Sequence, residues 1–428
     1  MAAASHTILI WNIETYGRPM SRGDYSGVHA FISQVIEAKG AEVLMIEEFK
    51  SPGRHYIGNL ATDLSPAEGE EGPTWFYDYI PGALIAPYSV GDTVAFDDLN
   101  WGSNSEGYAV VWRDGSLSAL EAGQSKGRNG DSTKGQYLAL SVLGLLPNVE
   151  AQSASPFRWE GGTVTENDLI ASGYPTSGSA MVGVEAERKS KRTRVDYKAR
   201  KNAALMSIRQ LERCRRPSFC NFNFGTSVPA TILAYHTPVA STSAEYAVQL
   251  CGLSEQVVMR TAADTRKLIL GGDFNLISST TIDACFSNFT QFKLTNSAGQ
   301  GEYPPSTVHY DSQDCLDNPT EKDNFMGSPR DQILNRNLTN SSGGVFDVIE
   351  ELHSNGDFAK AILGDEAIKL MVNISPHKLP GGNAEWTTAY GKLKQCFVDK
   401  KFDTYLSCAM LFRGYISDHM PLFQDFTR

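Results

Sequence analysis

The opening of the chain contains two strongly apolar runs with an amphipathic segment between them. The runs are TILIWNI and AEVLMIEEF. In the intervening segment the apolar residues recur at the spacing of one helical face: Val28, Phe31, Ile32, Val35 and Ile36. A buried strand, a helix and a second buried strand in this order predict α/β organisation with a parallel pair of strands. The opening therefore restricts the chain to a packed sheet with helices against it.

Further strands and a further helix are predicted later in the chain. Strands are predicted at 75–80, 108–113, 218–223 and 230–236 and in KLILGG, and a helix is predicted over about 243–262. Two stretches, 114–200 and 340–405, do not fit, and we interpret them as insertions because candidate site residues lie on both sides of each. For a chain of 428 residues a two-domain arrangement is the alternative, but we predict a single domain spanning 1–428. The polar stretch 295–328 is predicted to be a long loop.

Composition limits the class of protein. Hydrophobic residues make up 41% of the chain and charged residues 20%, as is typical of a packed globular protein. No apolar run approaches the roughly 20 residues that a membrane span needs. MAAASH leads directly into TILIWNI, so no intact signal peptide is predicted. The expected location is cytoplasmic or, if such a peptide has been removed, secreted. Seven widely spread cysteines without a C-x-x-C pair predict free thiols.

Charge is distributed unevenly along the chain. The formal net charge is −11, which argues against passive coating of nucleic acid. The segment Arg188–Arg216, however, holds twelve Lys or Arg residues against two acids, Asp196 and Glu212. A basic segment on an acidic body suits local binding of a polyanion. A solvated helix face or loop explains the same charges equally well.

Polar residues follow several of the apolar runs. In GGDFN, two glycines allow a sharp turn after a buried strand and display Asp273 and Asn275 on one side. Asn12 and Glu48 each end a strand of the opening pair, so we expect them to lie side by side at one edge of a sheet. Oxygen ligands of this kind suit Mg²⁺ or a bound phosphate. Turn capping is the alternative for each of these residues taken alone.

Two histidines have candidate acidic partners. ISDHMP places Asp418 and His419 directly after the apolar run CAMLFRGYI. Asp331, in PRDQILN, is a candidate partner that would fix the tautomer of His419. His236 in LAYHTP lies at a predicted strand end, and Glu106 in SEGYAVVWR is a candidate orienting acid. A lone histidine is more often structural than catalytic, but two histidines with matching acids favour acid–base catalysis.

Taken together, these motifs resemble the endonuclease/exonuclease/phosphatase superfamily, and within it the deoxyribonuclease I-like enzymes. The counterparts are the N-terminal strand with its Asn, the strand with the metal-binding Glu, the G-D-x-N turn and the closing S-D-H, in the same order. The resemblance extends to E-x-Y before an apolar strand, from Glu106 to Arg113, and to R-x-P before a strand, from Arg215 to Pro217. It implies an α/β fold: a four-layer sandwich of two packed mixed β-sheets flanked by helices, with the site at one edge.

The resemblance also implies ligands for a cation and for the phosphate. Glu48, with Asn12, would hold a divalent cation against the scissile phosphate, and Asp418 would also face the metal. Asp273 and Asn275 would bind the phosphate or a second cation. Mg²⁺ is the expected cation, with Mn²⁺ or Ca²⁺ as alternatives.

Two acid–base roles follow from the same resemblance. His419, oriented by Asp331, would activate water. His236, oriented by Glu106, would stabilise or protonate the leaving oxygen. Such a site favours in-line displacement at phosphorus, with the cation neutralising charge on the phosphoryl oxygens.

Departures from the family pattern concentrate where DNA would be contacted. Glu47 replaces the usual Gln before the metal-binding Glu and is expected to add a negative charge. Glu14 stands where an arginine meets DNA, and Asn104 is nearest to the position of a groove-stacking tyrosine. Lys50 and Arg215 keep basic character at two other DNA-facing positions.

The sequence therefore predicts a metal-dependent phosphodiesterase, and more specifically an endonuclease that hydrolyses DNA. Nucleic acid is the expected partner, DNA favoured over RNA, since phosphate contacts supply most non-specific affinity. The enzymatic alternative is a phosphatase or phospholipase C-type enzyme acting on inositol phosphates or sphingomyelin. A binding module that keeps the fold without turnover is the third reading. The long stretch 340–405 is the predicted docking place for a protein partner or inhibitor.

Overall fold

The computed structural model describes the parts of the chain that build the core. These are residues 5–14, 16–17, 25–80, 106–113, 117–118, 158–159, 162–163, 218–224, 228–237, 267–287, 293–294, 303–339, 341–355, 358, 369, 372–373 and 384–427. Arg215, the basic segment, the predicted helix at 243–262, nearly all of the stretch 114–200 and much of 340–405 lie outside the described residues. Among the residues described, no helix has the length and apolar character to cross a membrane.

The described residues form both strands and helices. The strands are β1 (Ser5–Asn12), β2 (Val43–Lys50), β3 (Trp75–Ile80), β4 (Glu106–Arg113), β5 (Leu117–Ser118), β6 (Arg158–Trp159), β7 (Gly162–Thr163), β8 (Ser218–Phe224), β9 (Val228–Ala234), β10 (Lys267–Asp273), β11 (Lys293–Leu294), β12 (Asp331–Arg336), β13 (Ser342–Val345) and β14 (Leu422–Thr427). The helices are α1 (Tyr25–Lys39), α2 (Ile57–Leu64), α3 (Ser279–Phe286), α4 (Gln313–Asp317), α5 (Val348–Ser354), α6 (Ala384–Asp399) and α7 (Tyr405–Leu411). The strands predicted from the apolar runs are all present.

The strands form two large mixed sheets. The first has the order β13-β14-β1-β2-β4-β3, and the second has the order β11-β12-β10-β9-β8-β5. β1 and β2 are parallel, as the opening of the chain predicted, and so are β9 and β10; the other pairs in both sheets are antiparallel. β6 and β7 pair separately.

The two sheets face each other across an apolar core. Ile8 and Ile10 of β1 belong to this inner core, together with side chains of the second sheet such as Ile232 and Ile269. Leu9 of β1 belongs instead to a second core on the other side of the first sheet. Because successive strand residues point to opposite faces, a strand covered on both sides must be apolar throughout, which explains the run TILIWNI.

Helices cover the outer face of the first sheet. Phe31 of α1, Leu393 of α6 and Leu411 of α7 belong to the same apolar cluster as Leu44 of β2. Burying each such side chain contributes about 1.5–3 kcal/mol relative to leaving it exposed. On the second sheet, α3 follows β10, and its Phe286 meets Phe274 edge to face. The predicted sandwich of two mixed sheets with helices outside is confirmed.

One local prediction differs from the structure, and one apolar run for which no element was predicted is helical. The stretch 295–328 is not only loop: it contains α4, capped by Ser312, and a 3-10 turn at Lys322–Phe325. The apolar run before Asp418 is helical, as α7 followed by a π turn at Phe412–Ile416, so this acid does not follow a strand end. Periodicity alone does not distinguish a short buried helix from a buried strand; the signal was Thr404, whose side chain caps α7.

Candidate active site

Nearly all of the predicted site residues come together at one end of the facing sheets. They are Asn12, Glu48, Glu106, His236, Asp273, Asn275, Asp331, Asp418 and His419. Strand pairing brings several of them into place, because Asp273 at the end of β10 lies directly opposite Asp331 at the start of β12. Asn12, at the end of β1, lies opposite Glu47 of β2.

A bulge in β2 positions the neighbouring acids Glu47 and Glu48. The pairing of β2 with β4 shifts between Ile46 and Phe49, so one extra residue is accommodated at Glu47–Glu48. Glu48 has a φ of 52°, in the left-handed region that non-glycine residues rarely adopt. Glu47 becomes fully buried, whereas Glu48 remains partly exposed at the site. The bulge thus gives two neighbouring acids different surroundings.

The GGD turn depends on glycine and on Glu47. Gly272 has a φ of 140°, and a Cβ there would overlap Glu47 Oε1 and lie 2.6 Å from the Tyr235 carbonyl oxygen. The backbone N–H of Asp273 donates to Glu47 Oε2 at 2.9 Å. The backbone N–H of Asn275 in turn donates to Asp273 Oδ1 at 2.8 Å. Glu47 therefore holds the backbone of Asp273, and the Asn275 N–H holds its carboxylate.

Burial opposes the negative charge that the sequence predicts for Glu47. Burial raises the pKa of its carboxyl well above the ordinary value of 4.5, and the nearby Asp273 and Asp331 act in the same direction. The neutral acid is therefore favoured. A protonated Glu has nearly the shape and polarity of Gln, so the departure from the family pattern is smaller than the residue letter indicates.

His419 is held by a fully buried network. Its Nδ1 lies 2.8 Å from Asp331 Oδ2. Ser306 Oγ donates to the same carboxylate oxygen at 2.6 Å and accepts the backbone N–H of Asp331 at 2.8 Å. Burial disfavours the charged ring, but Asp331 and Asp273 outweigh burial and raise the pKa of His419 well above 6.5. Asp331 thus holds Nδ1 of His419, and Ser306 holds Asp331.

His236 is held more loosely. Its Nδ1 lies 3.7 Å from Glu106 Oε2, and its Nε2 lies 3.7 Å from Glu48 Oε1. The backbone N–H of His236 donates to the hydroxyl of Tyr108 at 3.2 Å, which ties the end of β9 to β4 in the opposite sheet. The ring therefore lies between two acids, at distances somewhat longer than a hydrogen bond.

A single oxygen of Asp273 lies between the two histidines. Oδ2 is 3.4 Å from His236 Nε2 and 3.5 Å from His419 Nε2, and it accepts a hydrogen bond from Asn12 Nδ2 at 3.2 Å. Burial raises the pKa of Asp273 to about 7, opposed by His419 and reinforced by Asp331. Both imidazoles therefore present Nε2 to the same point.

The donor set fits a divalent cation. Two groups of side chains bring ligand atoms within 4.8 Å of one another. They are Glu48, Glu106 and His236 in one group and Asp273, Asp331 and His419 in the other. Asn12 Oδ1 is buried and accepts no hydrogen bond from any described residue, although Nδ2 of the same side chain reaches Glu48 and Asp273. A buried amide oxygen beside carboxylates is a suitable ligand for Mg²⁺, Mn²⁺ or Ca²⁺.

Three positioning residues were missed in the sequence. Ser417 Oγ donates to the Asn12 carbonyl at 2.6 Å and accepts the His419 backbone N–H at 3.0 Å, so it ties the C-terminal motif to β1. Ser306 and Tyr108 hold Asp331 and His236 as described above. Ser417 lies within the ISDH motif and could have been found there, whereas Ser306 lies in the stretch expected to be loop and carried no signal.

Solved structures that match the chain include an endonuclease/exonuclease/phosphatase family protein from Bacteroides thetaiotaomicron, with 12% identity, a TM-score of 0.42, and coverage of 99% of this chain and 98% of that chain.

Two further solved structures match the chain. The mannosyl-6-phosphatase of Bacteroides thetaiotaomicron VPI-5482 has 12% identity and a TM-score of 0.42, with 98% of each chain covered. TDP2 of D. rerio, solved with a single-strand DNA product, has 9% identity and a TM-score of 0.41, with 99% of this chain and 100% of that chain covered. No protein-family model matches the chain, and no curated protein matches it.

Proposed function

We propose that the chain is a metal-dependent phosphodiesterase that cleaves by in-line attack of water. The observation that carries this proposal is the convergence of His236 and His419 on Asp273 Oδ2, at 3.4 Å and 3.5 Å. Each histidine also has its own acidic partner on Nδ1. Two such pairs facing one point provide a base on one side of a substrate and an acid on the other.

In this proposal His419 is the base. Its Nδ1 is occupied by Asp331, so the proton-accepting atom is Nε2, which faces the site. The negative charges of Asp331 and Asp273 stabilise the imidazolium that forms when water gives up its proton. The same charges raise the pKa of His419 in the resting protein, so the base must lose a proton before it can accept one. Activity is therefore expected to rise with pH on the acid side of the profile.

His236 is the acid that serves the leaving oxygen. Its Nε2 faces Asp273 and Glu48, and Glu106 lies on the Nδ1 side. In this role the ring donates a proton from Nε2. Donating that proton prevents an unstable alkoxide from building up as the bond to phosphorus breaks.

Asn12, Glu48, Asp273 and Asp418 would hold the cation. When bound there, Mg²⁺ supplies positive charge against the phosphoryl oxygens. Asn275, whose side-chain nitrogen donates to the Thr237 carbonyl at 3.1 Å, keeps the GGDFN turn in place beside the phosphate.

DNA is the proposed substrate, and cleavage is proposed to be endonucleolytic. Support comes from the basic segment Arg188–Arg216, which includes Arg215 and provides positive charge on an otherwise acidic chain. Binding through phosphate contacts makes cleavage fall steeply as salt is added. A small headgroup or sugar phosphate makes few such contacts, and a shallow salt response would favour the phosphatase or phospholipase alternative.

The deciding experiment compares wild type with His419→Ala and His236→Ala on supercoiled plasmid DNA in Mg²⁺. Each substitution is expected to lower the cleavage rate on the order of a hundredfold to ten thousandfold. Chelation of the cation is expected to abolish cleavage by wild type. Lys322→Met, which removes a cation from an ion pair with Asp347 and Glu350, serves as the matched control. Full activity in both histidine variants would overturn the mechanism.

A further inference from the structure

Lys50 is not a free surface cation. Only 4% of the residue is exposed. Its Nζ lies 2.5 Å from Glu106 Oε1 and donates a hydrogen bond to it. This is a close, largely desolvated ion pair, in contrast to the exposed pairs that contribute little. The positive charge of Lys50 is thus already paired with Glu106 inside the protein.

The pair exists because of the bulge in β2. Before the bulge, Ile46 lies opposite Ala109; after it, Phe49 lies opposite Gly107 and Lys50 opposite Glu106. Without the extra residue, the partner of Lys50 would be the residue that precedes Glu106. Opposite charges directly across an antiparallel pair attract each other. The same bulge therefore positions both Glu48 and the Lys50–Glu106 pair.

Glu106 connects this pair to the site. One carboxylate oxygen, Oε1, is bound to Lys50, and the other, Oε2, lies 3.7 Å from His236 Nδ1. Tyr108, two residues further along β4, accepts the backbone N–H of His236. Residues on one face of a single strand thus hold both the ring and the backbone of the histidine.

We infer that Lys50 is a positioning residue that acts through Glu106 on His236, and not a contact to substrate phosphate. This inference rests on the proposed function. To reach a phosphate, Lys50 Nζ would have to leave Glu106, and a mostly buried carboxylate would lose its counter-charge, which is strongly unfavourable. Glu106 also lies close to Glu48 across His236, so the lysine offsets repulsion between the two acids. This role differs from the DNA contact that the sequence predicted for Lys50.

Kinetics on duplex DNA separate the two roles. The variants are Lys50→Met, Lys50→Arg, Glu106→Gln and the double variant Lys50→Met/Glu106→Gln, with Lys322→Met as control. A positioning role predicts that Lys50→Met lowers kcat about tenfold to a hundredfold, a part of the acid–base contribution. It also predicts an unchanged salt slope, a double variant no slower than the slower single variant, and recovery in Lys50→Arg.

A direct phosphate contact predicts the opposite pattern. KM would rise while kcat stayed constant, and the slope of the logarithm of affinity against the logarithm of salt would fall by about 1. Losses that add in the double variant would also place Lys50 and Glu106 in independent roles. Either result overturns the inference.

Histidine ring resonances test the inference without turnover. In protein labelled with ¹⁵N at histidine, the resonances of His236, assigned by their loss in His236→Ala, are expected to shift in Lys50→Met and Glu106→Gln. They are expected to return in Lys50→Arg and to stay unchanged in Lys322→Met. Absence of DNA cleavage by wild type contradicts the proposed function alone. Unchanged His236 resonances in Lys50→Met contradict the positioning role, whatever the substrate.

Discussion

The two histidines of the site are held in different ways. His419 Nδ1 lies 2.8 Å from Asp331, which is buried and fixed by Ser306. His236 Nδ1 lies 3.7 Å from Glu106, whose side chain is 18% exposed. One ring is therefore fixed by a direct hydrogen bond, whereas the other is held by its backbone and by charge at a distance.

The difference matches the chemistry proposed for each ring. A base must present one defined nitrogen to water, so its tautomer has to be set in advance. A histidine that protonates a leaving oxygen carries a proton on both nitrogens before it acts. No tautomer then has to be selected by a neighbouring carboxylate. His419 is thus preorganised by a direct hydrogen bond on Nδ1, and His236 by its backbone contact with Tyr108 and by its position between two acids.

The largest effect should come from Asp331→Asn compared with Glu106→Gln. An amide in place of Asp331 can donate to Nδ1 of His419 and so stabilise the wrong tautomer. We expect kcat to fall on the order of a thousandfold to ten thousandfold, the scale known for such a change at a catalytic histidine. Glu106→Gln keeps an acceptor at a longer distance, and we expect a loss of about tenfold to a hundredfold. Equal losses, measured on the same DNA, would remove the distinction between the two rings.

An intermediate effect is expected from Ser306→Ala. The hydroxyl accepts the buried N–H of Asp331 and donates to its carboxylate, so the substitution leaves a donor without a partner. The free energy of unfolding should fall by about 1–3 kcal/mol, and kcat should fall by about tenfold because Asp331 is less well fixed. Urea unfolding and initial rates measure the two effects.

A matched serine provides the control for that experiment. Ser33 Oγ donates to the carbonyl of His29 within α1, so its removal leaves no buried donor unpaired. Ser33→Ala should change stability by less than about 0.5 kcal/mol and leave kcat unchanged. Similar effects in both serine variants would mean that Ser306 contributes nothing particular to the His419 network.

Apolar sequence patterns were sufficient to predict the site residues that lie at the ends of strands. Asn12 and Asp273 end apolar runs that are buried on both faces. Parallel pairing places Asn12 beside Glu47 in the first sheet and the end of β10 beside the end of β9 in the second. The acids of both histidine pairs could be named for the same reason, since Asp331 and Glu106 begin strands that pair with those runs.

Two other features of the site, the bulge in β2 and the contact of Ser306 with Asp331, cannot be predicted from apolar periodicity. The bulge at Glu47–Glu48 shifts the pairing of β2 with β4, and no pattern of apolar residues records it. The family resemblance led us to expect Glu47 to be a charge at the site and Lys50 to be a basic residue facing DNA. Ser306 reaches the site from a stretch without periodicity, so only its contact with Asp331 identifies it.

Glu47→Gln should have the smallest effect on catalysis, although Glu47 lies beside Asp273, whose carboxylate faces both histidines. The amide keeps an oxygen that can accept the Asp273 N–H, so kcat should stay within about threefold, well below the acid–base scale. Stability should change in a direction set by pH. The folded-state pKa of Glu47 is raised above 4.5, so its contribution to stability is present below that value and is lost as pH rises through the raised pKa.

Wild type and Glu47→Gln should therefore unfold at similar urea concentrations below pH 4.5 and diverge above it. In chelator, the variant gains up to about 1.4 kcal/mol per pH unit until the folded pKa is passed, because Gln has no proton to lose. Glu42 is the matched control, since it is equally buried but paired with His6 and Arg113. Glu42→Gln breaks those pairs and should destabilise by up to about 3 kcal/mol. A gain in Glu42→Gln, or a loss in Glu47→Gln at high pH, would mean that burial does not control the charge on Glu47.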